Sequence, residues 1–237
     1  MPEDIGRNIS EVEAEMPEPK NEPEYMIISL ISRKIKVLLV GGGKAGFLKA
    51  KSYAGRGCNV VVVSKEFCDE FGQLSGLKNV ELIKEPYDTR FILDKHLILI
   101  ATGDQALNQR IREDCERNCK IYLDCDDFKQ GLFVTPVQQR TDYLQVALHT
   151  LFGSPKTSKF LINRLRNEIK QYDEFAAFIS SFRRGIKGRP DIAEIMDFMN
   201  SDDFYEFYLS GKHLLVLEMF YPELTEKADG KSLRMEK

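Results

Sequence analysis

Chemistry in this chain could begin at Gly41-Gly42-Gly43-Lys44-Ala45-Gly46, a G-x-G-x-x-G spacing that follows directly on the apolar run Ile35–Val40. Glycines so spaced have separate tasks at a phosphate site. The first permits a tight turn, the second lets a pyrophosphate approach the backbone, and the third lets a helix pack close to a strand. The opening turn of that helix then offers unpaired N–H groups to the anion. The spacing therefore predicts a dinucleotide site at Gly41, Gly43, Lys44, Ala45 and Gly46. The next strand ends Val63-Ser64-Lys65-Glu66, without the acid that ordinarily holds the ribose 2′-hydroxyl there. Ser64 can hydrogen-bond the ribose and Lys65 can attract a 2′-phosphate, so NAD and NADP are both open. Ala101-Thr102-Gly103-Asp104 closes a further apolar run. It puts Thr102, Gly103 and Asp104 at the carboxyl edge of a sheet, as ligand contacts or as a plain turn.

These loops need a rigid frame, and the pattern around them supplies one. Lys44 to Ala54 reads as a helix with apolar positions at Ala45, Leu48 and Tyr53, stopped by Gly55 and Gly57. A buried run at Val60–Val63 completes a strand, helix, strand unit. Val80–Ile83, Leu97–Ile100, a helix over Ala106 to Asn118, and Ile121–Asp124 continue the alternation. Short apolar strands alternating with helices predict an α/β fold, a Rossmann-like parallel sheet covered on both faces. Beyond Pro136 the character changes. Tyr143–Thr150 alternates like a strand, Lys156–Lys170 reads as an amphipathic helix with Phe160, Leu161 and Leu165 on one side, and Tyr172 to Tyr221 reads as a small helical domain. The expected division is a flexible tail over 1–24, a dinucleotide-binding domain over 25–137, a strand-helix segment over 138–170 and a helical C-terminal domain over 171–237.

Composition bounds the function classes. The chain has 237 residues, 43% of them apolar, and a formal charge of −3, so no global field recruits nucleic acid or an anionic membrane. Its longest apolar runs stop far short of the roughly 20 residues that span a bilayer, and the acidic N-terminus lacks the blocks of a secretory signal. The five cysteines follow no disulfide spacing, which suits the reducing cytoplasm. Cys115 and Cys119, one helical turn apart, are two helix thiols or a pair able to share a metal; no CxxC or paired histidine accompanies them.

The runs KVLLVGGGKAGFLKAKSYAGRGCNVVVVS, LILIATGDQALNQRIREDCERNCKIYLDCDD and GLFVTPVQQRTDYLQVAL together resemble the N-terminal module of the siroheme synthase family, over roughly residues 25–169. That family comprises precorrin-2 dehydrogenases, some of which are also sirohydrochlorin ferrochelatases. The resemblance implies a homodimer, with 138–170 as its dimerisation segment. It implies oxidation of the tetrapyrrole precorrin-2 to sirohydrochlorin with NAD, followed in some members by insertion of Fe²⁺. The family's catalytic aspartate lies ten residues before a proline and falls on Asp126, ahead of Pro136. A carboxylate suits the chemistry, because a proton must leave as hydride is removed; as loop carboxylates, Asp124 and Asp127 are alternatives. The sequence departs from the family at His149 to Lys159, where a Ser-Ser-Gly-Gly loop is usual.

Substrate contacts are expected from Arg140, His149, Thr157, Ser158 and Lys159. A substrate with many carboxylates also draws attention to Lys156, Arg164 and the cluster Arg183, Arg184, Lys187 and Arg189. His149 could bind iron, shuttle protons or make an ordinary strand-end hydrogen bond, whereas His96 and His213 read as structural. Two other readings compete: a non-catalytic NAD-binding regulator or scaffold, favoured by the altered loop, and an NAD(P)-dependent oxidoreductase acting on another small substrate.

Overall fold

The computed structural model describes residues 24–151 and 153–225. The tail expected over 1–24 lies outside these residues except for Glu24, as does the chain beyond Thr225. Two compact units emerge, one of Met26–Thr135 and the other, in its described part, of Glu24, Tyr25 and residues 136–225.

The first unit is built on a parallel sheet: β1 (Lys36–Val40), β2 (Asn59–Val63), β3 (Val80–Ile83), β4 (Leu97–Ile100) and β5 (Ile121–Asp124), in the order β3-β2-β1-β4-β5. Side chains alternate along a strand, and here both faces are buried. Val37, Leu39, Val62 and Leu99 join Phe47, Ala50 and Ala54 of α1 (Lys44–Gly55) on one side. Leu38, Val40, Ile98 and Ile100 join Ile111 and Cys115 of α2 (Gln105–Arg117) on the other. Each fully buried aliphatic side chain contributes roughly 1.5–3 kcal/mol. That gain explains why runs of β-branched and leucine residues settle as central strands.

Details of α1 correct the sequence reading. Ala45 and Leu48 face solvent, and the buried stripe is Phe47, Ala50 and Ala54 with Tyr53. Gly55 is the last helical residue rather than a stop; the chain leaves the helix through Gly57, whose φ of +89° favours glycine. Arg56 continues with helical torsions between them.

In the second unit, β6 (Val137–Arg140) and β7 (Gln145–Leu148) form an antiparallel hairpin on which α3 (Pro155–Lys170) packs. The strand expected over 143–150 is thus the shorter second arm of a hairpin, and the polar first arm, Val-Gln-Gln-Arg, was not foreseen. On α3, Ile162 and Ser158 are buried, while Phe160, Leu161 and Leu165 remain exposed. The turn of the hairpin is pinned by Asp173, which accepts from the Thr141 hydroxyl (2.6 Å) and from the backbone N–H of Asp142 (3.1 Å). Burial alone would raise this carboxyl; the Thr141 hydroxyl and the backbone donors outweigh it and hold the group below the ordinary carboxylate range. The helices α4 (Asp173–Gly185), α5 (Ile192–Met199), α6 (Asp202–Leu209), α7 (His213–Phe220) and α8 (Pro222–Thr225) enclose a core of Ile179, Ile195, Met199, Phe204 and Leu217. Among the described residues, no helix is long and apolar enough to cross a membrane.

A buried carboxylate also ties α2 to the chain entering β4. Asp114 accepts from the Tyr87 hydroxyl (2.9 Å) and the Thr89 hydroxyl (2.7 Å) and pairs with Arg117. Burial would raise the Asp114 carboxyl, but those hydroxyls and the neighbouring guanidinium groups hold it low. Asp114→Ala strands both hydroxyls and is expected to cost about 3 kcal/mol in chemical denaturation. Because the folded group lies below its unfolded value, its contribution is complete above about pH 4 and fades as acid titrates the folded carboxyl. The stability gap between wild type and variant should therefore narrow in acid, and a gap that widens would contradict the assignment.

Candidate dinucleotide and proton-transfer site

Register aligns the ends of four strands. Val63, Val40, Ile100 and Asp124 form one row across β2, β1, β4 and β5. The backbone knits the row just beyond its end, through Gly41 N–H to the Val63 carbonyl (3.0 Å), Ala101 N–H to Val40 (2.9 Å) and Cys125 N–H to Ile100 (2.9 Å). Chain order reverses between β1 and β4, so the loops after these strands flank a topological switch point, where open α/β sheets bind ligands.

The glycine loop stands on one side of that point. A Cβ on Gly41, whose φ is +128°, would collide with the Ala101 carbonyl, and one on Gly42 with the Glu66 carbonyl. A Cβ on Gly46 would strike the Gly41 carbonyl, so the third glycine does serve close helix-strand packing. Gly43 differs: a Cβ there meets nothing within 4 Å. It is also the N-cap of α1, with extended backbone and no acid in the following turn, and Gly43, Lys44 and Ala45 are all exposed. The loop is thus packed tight at Gly41 and Gly46 and open at Gly43. Unpaired N–H groups and a lysine at the opening of the helix suit a diphosphate, so the residues present fit a dinucleotide. Ser64 is half-buried with its hydroxyl turned toward Gly42, and Lys65 is exposed.

On the other side stand the loops after β4 and β5. Asp104 caps α2, accepting from Leu107 N–H (3.1 Å), and Gly103 is exposed with open space about it. Thr102 donates to the Asn108 side-chain oxygen, and the Asn108 amide nitrogen donates to the Thr102 carbonyl (3.2 Å) and to Asp126 Oδ2 (3.0 Å). Asp126 is exposed, and its Oδ1 accepts no hydrogen bond from the described residues. The two alternative carboxylates are spent on structure. Asp124, 1% exposed, pairs with Arg112 and receives the N–H groups of Asp126 (3.0 Å) and Asp127 (3.2 Å). Asp127 caps the short turn that follows, accepting from Lys129 N–H (3.1 Å).

Sequence reasoning missed Asn108. The signal was its phase, since Asn108 shares a stripe with Ile111 and Cys115 on α2 and is itself fully buried. A polar side chain at such a position must have partners.

The substrate residues expected beyond Pro136 all lie in the second unit. Arg140 is exposed at the end of β6, and its carbonyl accepts from Arg166 (3.0 Å). His149 packs its ring edge-on against Tyr25, centroids 4.4 Å apart, with Nε2 buried and without a hydrogen-bond partner among the described residues. Thr157 and Ser158 belong to the first turn of α3, not to the loop before it. Thr157 bonds Ser154 (2.7 Å), while Ser158 is buried and donates to the Ser154 carbonyl (3.0 Å), which turns it inward. Lys156, Lys159 and Arg164 are exposed. Of the basic cluster, Arg189 is engaged by Asp191 and Glu223, leaving Arg183, Arg184 and Lys187 exposed. His96 accepts from Lys36 N–H (2.9 Å), and His213 lies among Phe178 and Tyr208, where burial pushes its imidazole down. Burial also pushes the Cys115 thiol up to about 12, while Cys119 stands beyond the helix end at φ +51°. Cys119 therefore leaves the helical spacing that the sequence suggested for the pair.

The geometry separates two roles that glycine substitutions will read. Gly43→Val should stay within about 0.5 kcal/mol of wild-type stability yet weaken NAD binding at least about tenfold by calorimetry, a loss of 1.4 kcal/mol or more. Gly41→Val should instead lower the melting temperature. Unaltered NAD affinity in folded Gly43→Val would exclude this loop as the site.

Comparison with known proteins agrees with this frame. Residues 28–137 match a protein-family model described as "Putative NAD(P)-binding". The chain is 28% identical to siroheme synthase of Thioalkalivibrio sulfidiphilus over 156 residues, 65% of this chain and 32% of that protein. It is 28% identical to siroheme synthase of Chromobacterium violaceum over 171 residues, 71% of this chain and 36% of that one. It therefore spans about a third of the length of these curated relatives. Among solved structures it matches "SirC, precorrin-2 dehydrogenase" at a TM-score of 0.60 and 20% identity, covering 85% of this chain and 100% of that one, which supports the fold. The resemblance read from the sequence agrees with these findings: residues 28–137 match a family described as putative NAD(P)-binding, and the chain that carries them is similar to siroheme synthases.

Proposed function

We propose that this protein is an NAD-dependent dehydrogenase that oxidises precorrin-2 to sirohydrochlorin. The observation that carries the reading is Asp126, an exposed carboxylate with one oxygen uncommitted, anchored through Asn108 to the loop across the switch point from the glycine turn. Similarity to siroheme synthases supplies the substrate class.

The residues divide the work. Gly43, Lys44, Ala45 and Gly46 bind the diphosphate, and Ser64 faces the ribose. When bound, the nicotinamide supplies a hydride acceptor. Asp126 Oδ1 takes up the proton that leaves with the hydride, a role that ordinarily contributes 10²–10⁴-fold. Thr102, Gly103 and Asp104 shape the edge on which the reacting carbon rests. Within the second unit, exposed Arg140, Lys156 and Lys159 offer cations for the substrate's carboxylates, with His149 and Thr157 as further contacts to be tried by substitution. Ser158 supports the turn from inside.

The same proposal takes 138–170 as the dimer-forming segment of a cytoplasmic homodimer, supported by exposed Phe160, Leu161 and Leu165 on α3. It counts Fe²⁺ as a second substrate to be tried with sirohydrochlorin. One observation favours a non-catalytic NAD-binding regulator instead, namely that the hydroxyls of Ser154, Thr157 and Ser158 are bonded to one another, to Thr150 and to the Ser154 carbonyl.

Absorbance distinguishes the readings. Purified protein given precorrin-2 and NAD⁺ should form sirohydrochlorin and NADH together, and Asp126→Ala should lower turnover about 10²–10⁴-fold while retaining NAD affinity. NAD binding without any turnover would establish the regulator.

A further inference from the structure

We infer that Asn108 is a positioning residue that dictates which oxygen of Asp126 takes up the proton. The inference rests on the proposed role of Asp126 and adds a second residue to it. Asn108 is fully buried on α2, and its amide has a partner in every direction. The orientation of that amide is fixed by its neighbours. The Thr102 carbonyl can only accept, so the NH₂ group must face it, and the Thr102 hydroxyl then serves the amide oxygen. A flipped amide would set its oxygen against both the Thr102 carbonyl and Asp126, and would leave NH₂ hydrogens without acceptors.

It follows that the N–H left over always points at Asp126 Oδ2. That oxygen already accepts a hydrogen bond, which makes it the less basic of the two, and the proton goes to Oδ1, which has no partner among the described residues. The same amide couples the base to the backbone of the loop after β4, so carboxylate and loop keep one geometry. A displacement of about 1 Å in such a base can cost on the order of 100-fold in rate.

A double-mutant cycle tests this with precorrin-2 and NAD⁺ as probes. In the wild-type background, Asn108→Ala should lower kcat roughly 10–100-fold while KM for precorrin-2 changes less than about threefold. In the Asp126→Ala background the same substitution should change kcat less than about twofold, because the group it orients is gone. Thr102→Val, which removes the hydroxyl that serves the Asn108 oxygen and the Asp104 backbone N–H, provides a second variant if Asn108→Ala does not fold, and should show the same dependence on Asp126. Equal losses in both backgrounds would overturn the inference and leave Asn108 a packing residue, with the dehydrogenase reading intact. Full turnover by Asp126→Ala would overturn the role of Asp126, and this inference with it, whereas absence of turnover by the wild-type protein would overturn the dehydrogenase reading.

Discussion

At residue 41 there is room for a hydrogen and nothing larger, because the backbone carbonyl of Ala101 lies where a side chain would begin. This contact brings the end of β1 against the end of β4. Gly42 meets the carbonyl of Glu66 beyond β2, and Gly46 meets the carbonyl of Gly41, so three successive approaches compress the loops into one edge. None tolerates a Cβ without moving backbone. What the compression leaves uncovered is the single position Gly43 and the first turn of α1.

The rest of the site follows from where the strands stop. Since Val40, Ile100 and Asp124 lie in one row, the residues two places beyond β4 and β5, Thr102 and Asp126, are close enough for one buried amide to bridge. Asp124 receives the backbone of the turn and the charge of Arg112, which makes it a buried, satisfied pair. Breaking such a pair is typically worth 3–5 kcal/mol, so its task is to hold the turn. The carboxylate two residues later is then presented to solvent with an oxygen unused. Buried, paired and solvent-presented carboxylates are thus separated by environment within the sequence Asp124-Cys125-Asp126-Asp127.

Much of this frame was legible in the residues because fully buried parallel strands leave an unmistakable trace. Val-Leu-Leu-Val and Leu-Ile-Leu-Ile have no polar side and can belong only where helices cover both faces. The β6 arm left no such trace, since its Gln138 and Gln139 sit half-buried on a hairpin whose turn depends on Asp173, a distant residue. The buried phase of α1 was misread at Leu48 because small residues, Ala50 and Ala54, do the packing there and carry little apolar contrast. Asn108 carries no motif of its own, and only its spacing from Ile111 and Cys115 marks it as interior. Which of three aspartates remained unspent depended on backbone turns that spacing does not encode.

The central claim is that one edge of the sheet holds a dinucleotide within reach of the uncommitted oxygen of Asp126. A crystal structure of the protein soaked with NAD⁺ tests it most directly. The account predicts the diphosphate against the backbone N–H groups at residues 43–46 and the reactive carbon of the nicotinamide on the same side of the sheet edge as Asp126 Oδ1. A dinucleotide bound elsewhere, or a nicotinamide ring directed away from the ends of β4 and β5, would contradict it.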